Sequence, residues 1–94
     1  MNERLSEIEH DRDAQCFRAG VDGHEAQLEY DRVDGWMVIT HTRVPDAISG
    51  RGVASRLTRR AFEAAREEGL QVRPMCSYAA GWAERHPEVR DLLQ

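Results

Sequence analysis

The chain has 94 residues, 40% of them apolar and 32% charged, and carries a net charge of −4. That length suits a single domain, 1–94, with a small core, because a chain of this size buries only about two-thirds of its unfolded surface. The negative balance argues against general nucleic-acid binding, no apolar run approaches the roughly 18 residues of a membrane span, and the first residues lack the basic-then-apolar order of a secretion leader, so a soluble cytoplasmic protein is expected.

Three strand-like segments come first. The signal over 14–19 is weak. Over 25–33, Ala26, Leu28 and Tyr30 alternate with Gln27, Glu29 and Asp31, the period-two pattern of a half-buried strand. The third segment, 36–44, is rich in β-branched residues, and on this spacing His41 shares a strand face with Met37, Ile39 and Arg43. Asp22-Gly23 and Asp34-Gly35 are turn dipeptides that accept positive φ, so the three strands read as an antiparallel meander. Pro45 ends the third strand, because it has no N–H to give a ladder.

A helix follows over 53–68, with Leu57, Ala61, Ala64 and Ala65 on one face and Gly69 placed to end it. Residues 70–73 are a short strand, joined to the third strand through the helix and hence parallel to it. Ser77 is a candidate cap for a second helix running to about Arg85, and Pro87 suits the first turn of a short last helix. The order β-β-β-α-β-α-α describes one mixed α+β sheet with helices packed on it, a meander plus a βαβ-type crossover.

Ser49-Gly50-Arg51-Gly52-Val53-Ala54-Ser55 joins strand to helix through two glycines. Such a junction serves either a tight turn or an anion, since glycines admit close backbone approach and the first helical N–H groups have no partner within the helix. Arg51 at a helix N-terminus opposes the macrodipole by about 0.3–1 kcal/mol, which an arriving anion would offset. The loop carries neither Gly-Lys-Ser/Thr nor GxGxxG, which disfavours nucleotide hydrolysis. Cys16 and Cys76 are the only cysteines, without CxxC spacing, and are expected as thiols; no metal pattern is present. Cys16 reads as core, and Glu25, Glu29 and Asp31 as a solvated strand face able to attract a cationic amine.

The loop and its flanks resemble the acetyl-coenzyme A pyrophosphate loop of the GCN5-related N-acetyltransferases. Gly52 and Ala54 match that family's pattern, and Ser49 stands where Gln or Arg is usual. His41-Thr42-Arg43-Val44-Pro45, Cys76-Ser77-Tyr78, His86-Pro87-Glu88 and Asp91-Leu92 are similar to a small single-domain branch of it. The resemblance implies a minimal fold of that family and a cytoplasmic enzyme passing an acetyl group from acetyl-coenzyme A to an amine, with a protein or peptide acceptor suggested by the small size. The alternative is a coenzyme A-binding module with little turnover. It also implies that Thr42, Arg43 and Val44 pair with the pantetheine arm and that Gly50, Arg51, Gly52, Val53, Ala54 and Ser55 surround the pyrophosphate. His41 is then a candidate general base, or simply a strand histidine. Cys76, before a helix N-terminus where thiolates are favoured, could be an acyl carrier, a polar wall or a buried hydrophobe. Tyr78 is a candidate proton donor to the departing thiolate, or a packing partner of Trp82. The chain is expected as a monomer or homodimer, with no nucleic-acid or membrane partner.

Overall fold

The computed structural model describes residues 8–93. Among the described residues, five strands form one sheet in the order β1-β2-β3-β4-β5: β1 (Ile8–Asp11), β2 (Cys16–Val21), β3 (His24–Val33), β4 (Trp36–Arg43) and β5 (Gln71–Pro74). The first four are antiparallel neighbours, and β5 lies parallel to β4. The mixed sheet and its parallel crossover are those expected, and the meander gains a fourth strand at its outer edge. Ile-Glu-His-Asp has too few apolar residues to announce a strand. It forms because His10 lies opposite Phe17 in the pairing, their rings stacked 4.0 Å apart, while its imidazole Nε2 shares a 2.7 Å hydrogen bond with the Tyr30 hydroxyl.

The helices α1 (Val53–Glu67) and α2 (Ser77–Glu84), with the 3-10 helix Pro87–Leu92, pack on the sheet. Phe17, Ala19, Ala26, Leu28, Tyr30, Met37, Ile39 and Val72 point inward from alternate strand positions. Leu57, Ala61, Phe62, Ala64 and Ala65 meet them from α1. Thr58 is fully buried there and satisfies its hydroxyl on the Ala54 carbonyl at 2.8 Å. Gly69, at φ 72°, ends α1: its own N–H donates to Arg66 and the Leu70 N–H reaches back to Ala65, a Schellman closure.

Trp82 ties α2 to the start of α1. Its ring stacks on Phe62 and His86, and its indole N–H donates to Ser55 Oγ at 2.9 Å. The His86 Nδ1–H donates to the Trp82 carbonyl at 2.7 Å, closing the turn that follows α2. Tyr78 is half-buried and packs against the core cluster to which Trp82 belongs.

Candidate active site

Strands β4 and β5 pair from Trp36↔Gln71 to Ile39↔Pro74 and then part. The cause is local. Pro74 has no N–H, the next two N–H groups, of Met75 and Cys76, both donate to the Ile39 carbonyl, and the chain turns at Cys76 into α2. Strand β4 runs on to Arg43, so the edge formed by Thr40, His41, Thr42 and Arg43 continues without β5 beside it. A shallow hollow of about 540 Å³ lies at this end of the strand, lined by Thr42, Arg43, Val44 and Pro45 with Glu25 and Gln27.

A β-bulge redirects the side chains of this edge. The β3–β4 register slips between Glu29 and Tyr30, which face His41 and Ile39 respectively, so Thr40 is the extra residue. Alternation restarts after it. His41 therefore does not share a face with Met37 and Ile39, as simple periodicity predicts. It stands with Arg43 on the outer side of the sheet, opposite the helices, and Thr42 takes the inner side beside α2. His41 is 62% exposed, with Nδ1 3.5 Å from Glu29 Oε1. Glu29 Oε2 lies 3.8 Å from Arg43 Nε.

On the inner side, the Thr42 hydroxyl and the Cys76 thiol share a hydrogen bond at 3.4 Å. Cys76, rather than Ser77, is the N-cap of α2, and its sulfur accepts the Ala79 N–H at 3.4 Å. Sulfur is a weak acceptor, so this cap holds α2 loosely. Tyr78 stands in the first turn of α2, and its hydroxyl takes no hydrogen bond among the described residues. The structure thus brings Thr42 and Cys76 together on one side of the splayed edge and sets His41 on the other.

The glycine loop follows a short 3-10 turn, Asp46–Ile48, whose Ile48 is fully buried and anchors it. Ser49 donates its hydroxyl to the Asp46 carbonyl. Gly52 is the N-cap of α1 in the left-handed region, with no side-chain cap and no acidic residue in the first turn. The first intrahelical bond is Arg56 N–H to Gly52 O, so the N–H groups of Val53, Ala54 and Ser55 precede the ladder. A Cβ at Gly50 or Gly52 would meet open space, so both glycines are required by φ of 79° and not by crowding. Arg51 already has an anion: its guanidinium pairs with Asp22 in the β2–β3 turn. Ser55 spends its acceptor on Trp82.

Cys16, expected in the core, is buried to 4% but lies outside the main apolar cluster, on the outer face beneath a hollow of about 480 Å³ that Glu29, Thr40 and His41 also line. Burial pushes its thiol above the ordinary range. Sequence spacing could not reveal Glu29 as a partner of His41, because their pairing depends on the bulge.

A mixed sheet that splays beside a glycine loop feeding a helix is the framework of an acetyltransferase of the GCN5-related class. The chain belongs to this family: the family model described as GCN5-related N-acetyl-transferase matches residues 16–92. Among curated proteins it resembles Protein NATD1 of Gallus gallus, 36% identical over 84 residues covering 86% of this chain and 76% of that protein, and Protein NATD1 of Homo sapiens, 36% identical over 83 residues covering 85% and 74%. Among solved structures, a GCN5-like protein from Staphylococcus aureus, determined by NMR, superposes with a TM-score of 0.74 at 30% identity, covering 96% of this chain and 89% of that one.

Proposed function

We propose that this protein is an acetyl-coenzyme A-dependent N-acetyltransferase acting on a primary amine carried by a protein or peptide. The observation that carries the reading is the parting of β4 from β5 at Ile39 next to an uncapped α1 N-terminus. The free edge formed by Thr42, Arg43 and Val44 suits the amide groups of a pantetheine arm. Gly50 and Gly52, with the N–H groups of Val53, Ala54 and Ser55, suit a pyrophosphate, for which the positive end of the helix dipole adds attraction. Arg51 would reach it only by leaving Asp22, an exposed pair worth about 0–1 kcal/mol and so readily exchanged.

The acyl group then lies in the gap, and the amine approaches from the outer face, where His41 stands. A lysine-type amine, with an ordinary pKa near 10.4, costs about 4.6 kcal/mol to deprotonate at pH 7, and His41 takes that proton. The amine nitrogen attacks the thioester carbonyl, the C–S bond breaks, Tyr78 gives its proton to the thiolate, and the proton that the new amide nitrogen sheds restores the tyrosine. Cys76 acts as a polar wall of the acyl pocket, its sulfur already engaged by Ala79 N–H and Thr42. Direct attack requires no acyl-cysteine.

All 13 basic residues are arginine, so the chain offers no lysine acceptor of its own. Release of coenzyme A thiol from acetyl-coenzyme A, followed with and without lysine-bearing peptides, is therefore a clean test. Amine-dependent release that falls in His41→Ala supports the reading. Coenzyme A binding with no amine-dependent release contradicts it.

A further inference from the structure

The bulge in β4 makes His41 the direct cross-strand partner of Glu29. It is fastened at its apex, because the extra residue, Thr40, donates its hydroxyl to the Glu29 carbonyl at 3.2 Å. The backbone that carries the carboxylate and the backbone that carries the imidazole are thereby tied together. Glu29 Oε1 lies 3.5 Å from His41 Nδ1, while Arg43 Nε draws on the other oxygen at 3.8 Å. At 34% exposure Glu29 is the more enclosed of the two partners. Both side chains line the outer-face hollow of about 480 Å³, which Arg18, Gln27, Asp31 and Thr40 also border. Arg18 is occupied by Asp11 at 3.0 Å and does not compete for Glu29.

From this geometry we infer that Glu29 is a positioning residue for His41, accepting the Nδ1–H so that Nε2 keeps its lone pair toward the hollow. The inference rests on the acetyl-transfer reading above, in which His41 is the base. A free imidazole favours the Nε2–H tautomer, which has no lone pair at that nitrogen. A carboxylate at Nδ1 reverses the preference, holds the ring, and stabilises the imidazolium that forms when Nε2 takes the proton of the incoming ammonium. The balance closes without another reactant: one proton moves from the ammonium to Nε2, the second leaves the nitrogen as the amide forms and replaces the one Tyr78 gives to the thiolate, Glu29 stays ionised, and the imidazolium later returns its proton to solvent. Arg43 steadies the second carboxylate oxygen. The 3.5 Å separation is long, as catalytic contacts commonly are before substrate binds, and it tightens once the imidazole is charged.

A tautomer measurement and a double-variant cycle test this. In long-range ¹⁵N–¹H spectra of the neutral imidazoles, His41 of the wild-type chain is expected mainly as the Nδ1–H form, moving toward Nε2–H in Glu29→Ala, while Glu29→Gln, which keeps an acceptor, retains Nδ1–H. A wild-type His41 that is mainly Nε2–H overturns the inference, and this readout needs no turnover. In kinetics, Glu29→Ala is expected to lower kcat by about 10- to 100-fold with coenzyme A affinity unchanged, and to have no further effect in the His41→Ala background. Equal losses in both backgrounds would mean that Glu29 acts without His41 and would overturn it. Wild-type turnover in His41→Ala would instead sink the base reading, leaving the tautomer to decide the Glu29–His41 pair.

Discussion

Gly52 and Gly35 make a matched pair that separates backbone strain from ligand contact. Both occupy the left-handed region, at φ 79° and 83°, and a Cβ on either meets no atom within 4 Å. Alanine at each position therefore costs only the conformational penalty, about 1–2 kcal/mol. In a domain of this size that lowers Tm by roughly 4–8 °C per kcal/mol. The two sites lie at opposite ends of β4, Gly35 in the β3–β4 turn and Gly52 at the α1 N-cap. In the proposed binding mode, the methyl group of Gly52→Ala would crowd a pyrophosphate at the first helical N–H groups. Losing one charge-assisted hydrogen bond there costs about 1.5–3 kcal/mol, or roughly 10- to 150-fold in Kd. Calorimetric titration with coenzyme A and thermal melts of both variants are the assay. Equal melting losses with weakened binding only in Gly52→Ala are expected. If Gly52→Ala binds like wild type while melting early, the loop does not hold the phosphate. If Gly35→Ala loses binding equally, the loss is global.

Two further outcomes follow from the structure. Cys76→Ala removes the α2 cap and, the sulfur being a weak acceptor, is expected to cost no more than the low end of the about 0.5–2 kcal/mol of an oxygen cap in urea unfolding, whereas Cys76→Ser, whose oxygen accepts the Ala79 N–H more strongly, should be more stable than Cys76→Ala; equal stability of the two variants would show that this position does not cap. His10 is held below its ordinary value of 6.5, chiefly by burial and next by Arg12, with Arg60 adding and Glu68 and Asp11 opposing. The unfolded chain then takes up the proton first, so this contribution to stability is complete above about 6.5, falls as pH drops toward the folded-state value, and levels off below it. His10→Gln should flatten that decline between about pH 8 and about pH 5, and superimposable profiles would refute it.

Much of the fold was legible because its signals are local. The alternation through Ala26, Leu28 and Tyr30, the apolar face of α1, Gly69 and Pro45 all act within a few residues of themselves. Strand β1 was not legible, because its stability comes from rings that meet only after folding, His10 on Phe17 and Tyr30. The bulge at Thr40 is likewise a property of two strands, and it alone decides that His41 faces Glu29 while Thr42 faces Cys76. Arg51 read as a lone cation seeking an anion, since Asp22, its partner, stands 29 residues away. Cys76 rather than Ser77 became the cap because the ladder ends at the Ile39 carbonyl and the turn into α2 begins one residue earlier than spacing suggests.

In the proposed function, coenzyme A enters between the parted strands and reaches the α1 N-terminus. Titrating ¹⁵N-labelled protein with coenzyme A tests this most directly. The largest amide shifts are predicted at Thr42, Arg43 and Val44 and at Gly50, Gly52, Val53, Ala54 and Ser55, with little change in the β1–β2 turn. Saturable shifts confined to the outer face of the sheet, or none at all at millimolar coenzyme A, would contradict it.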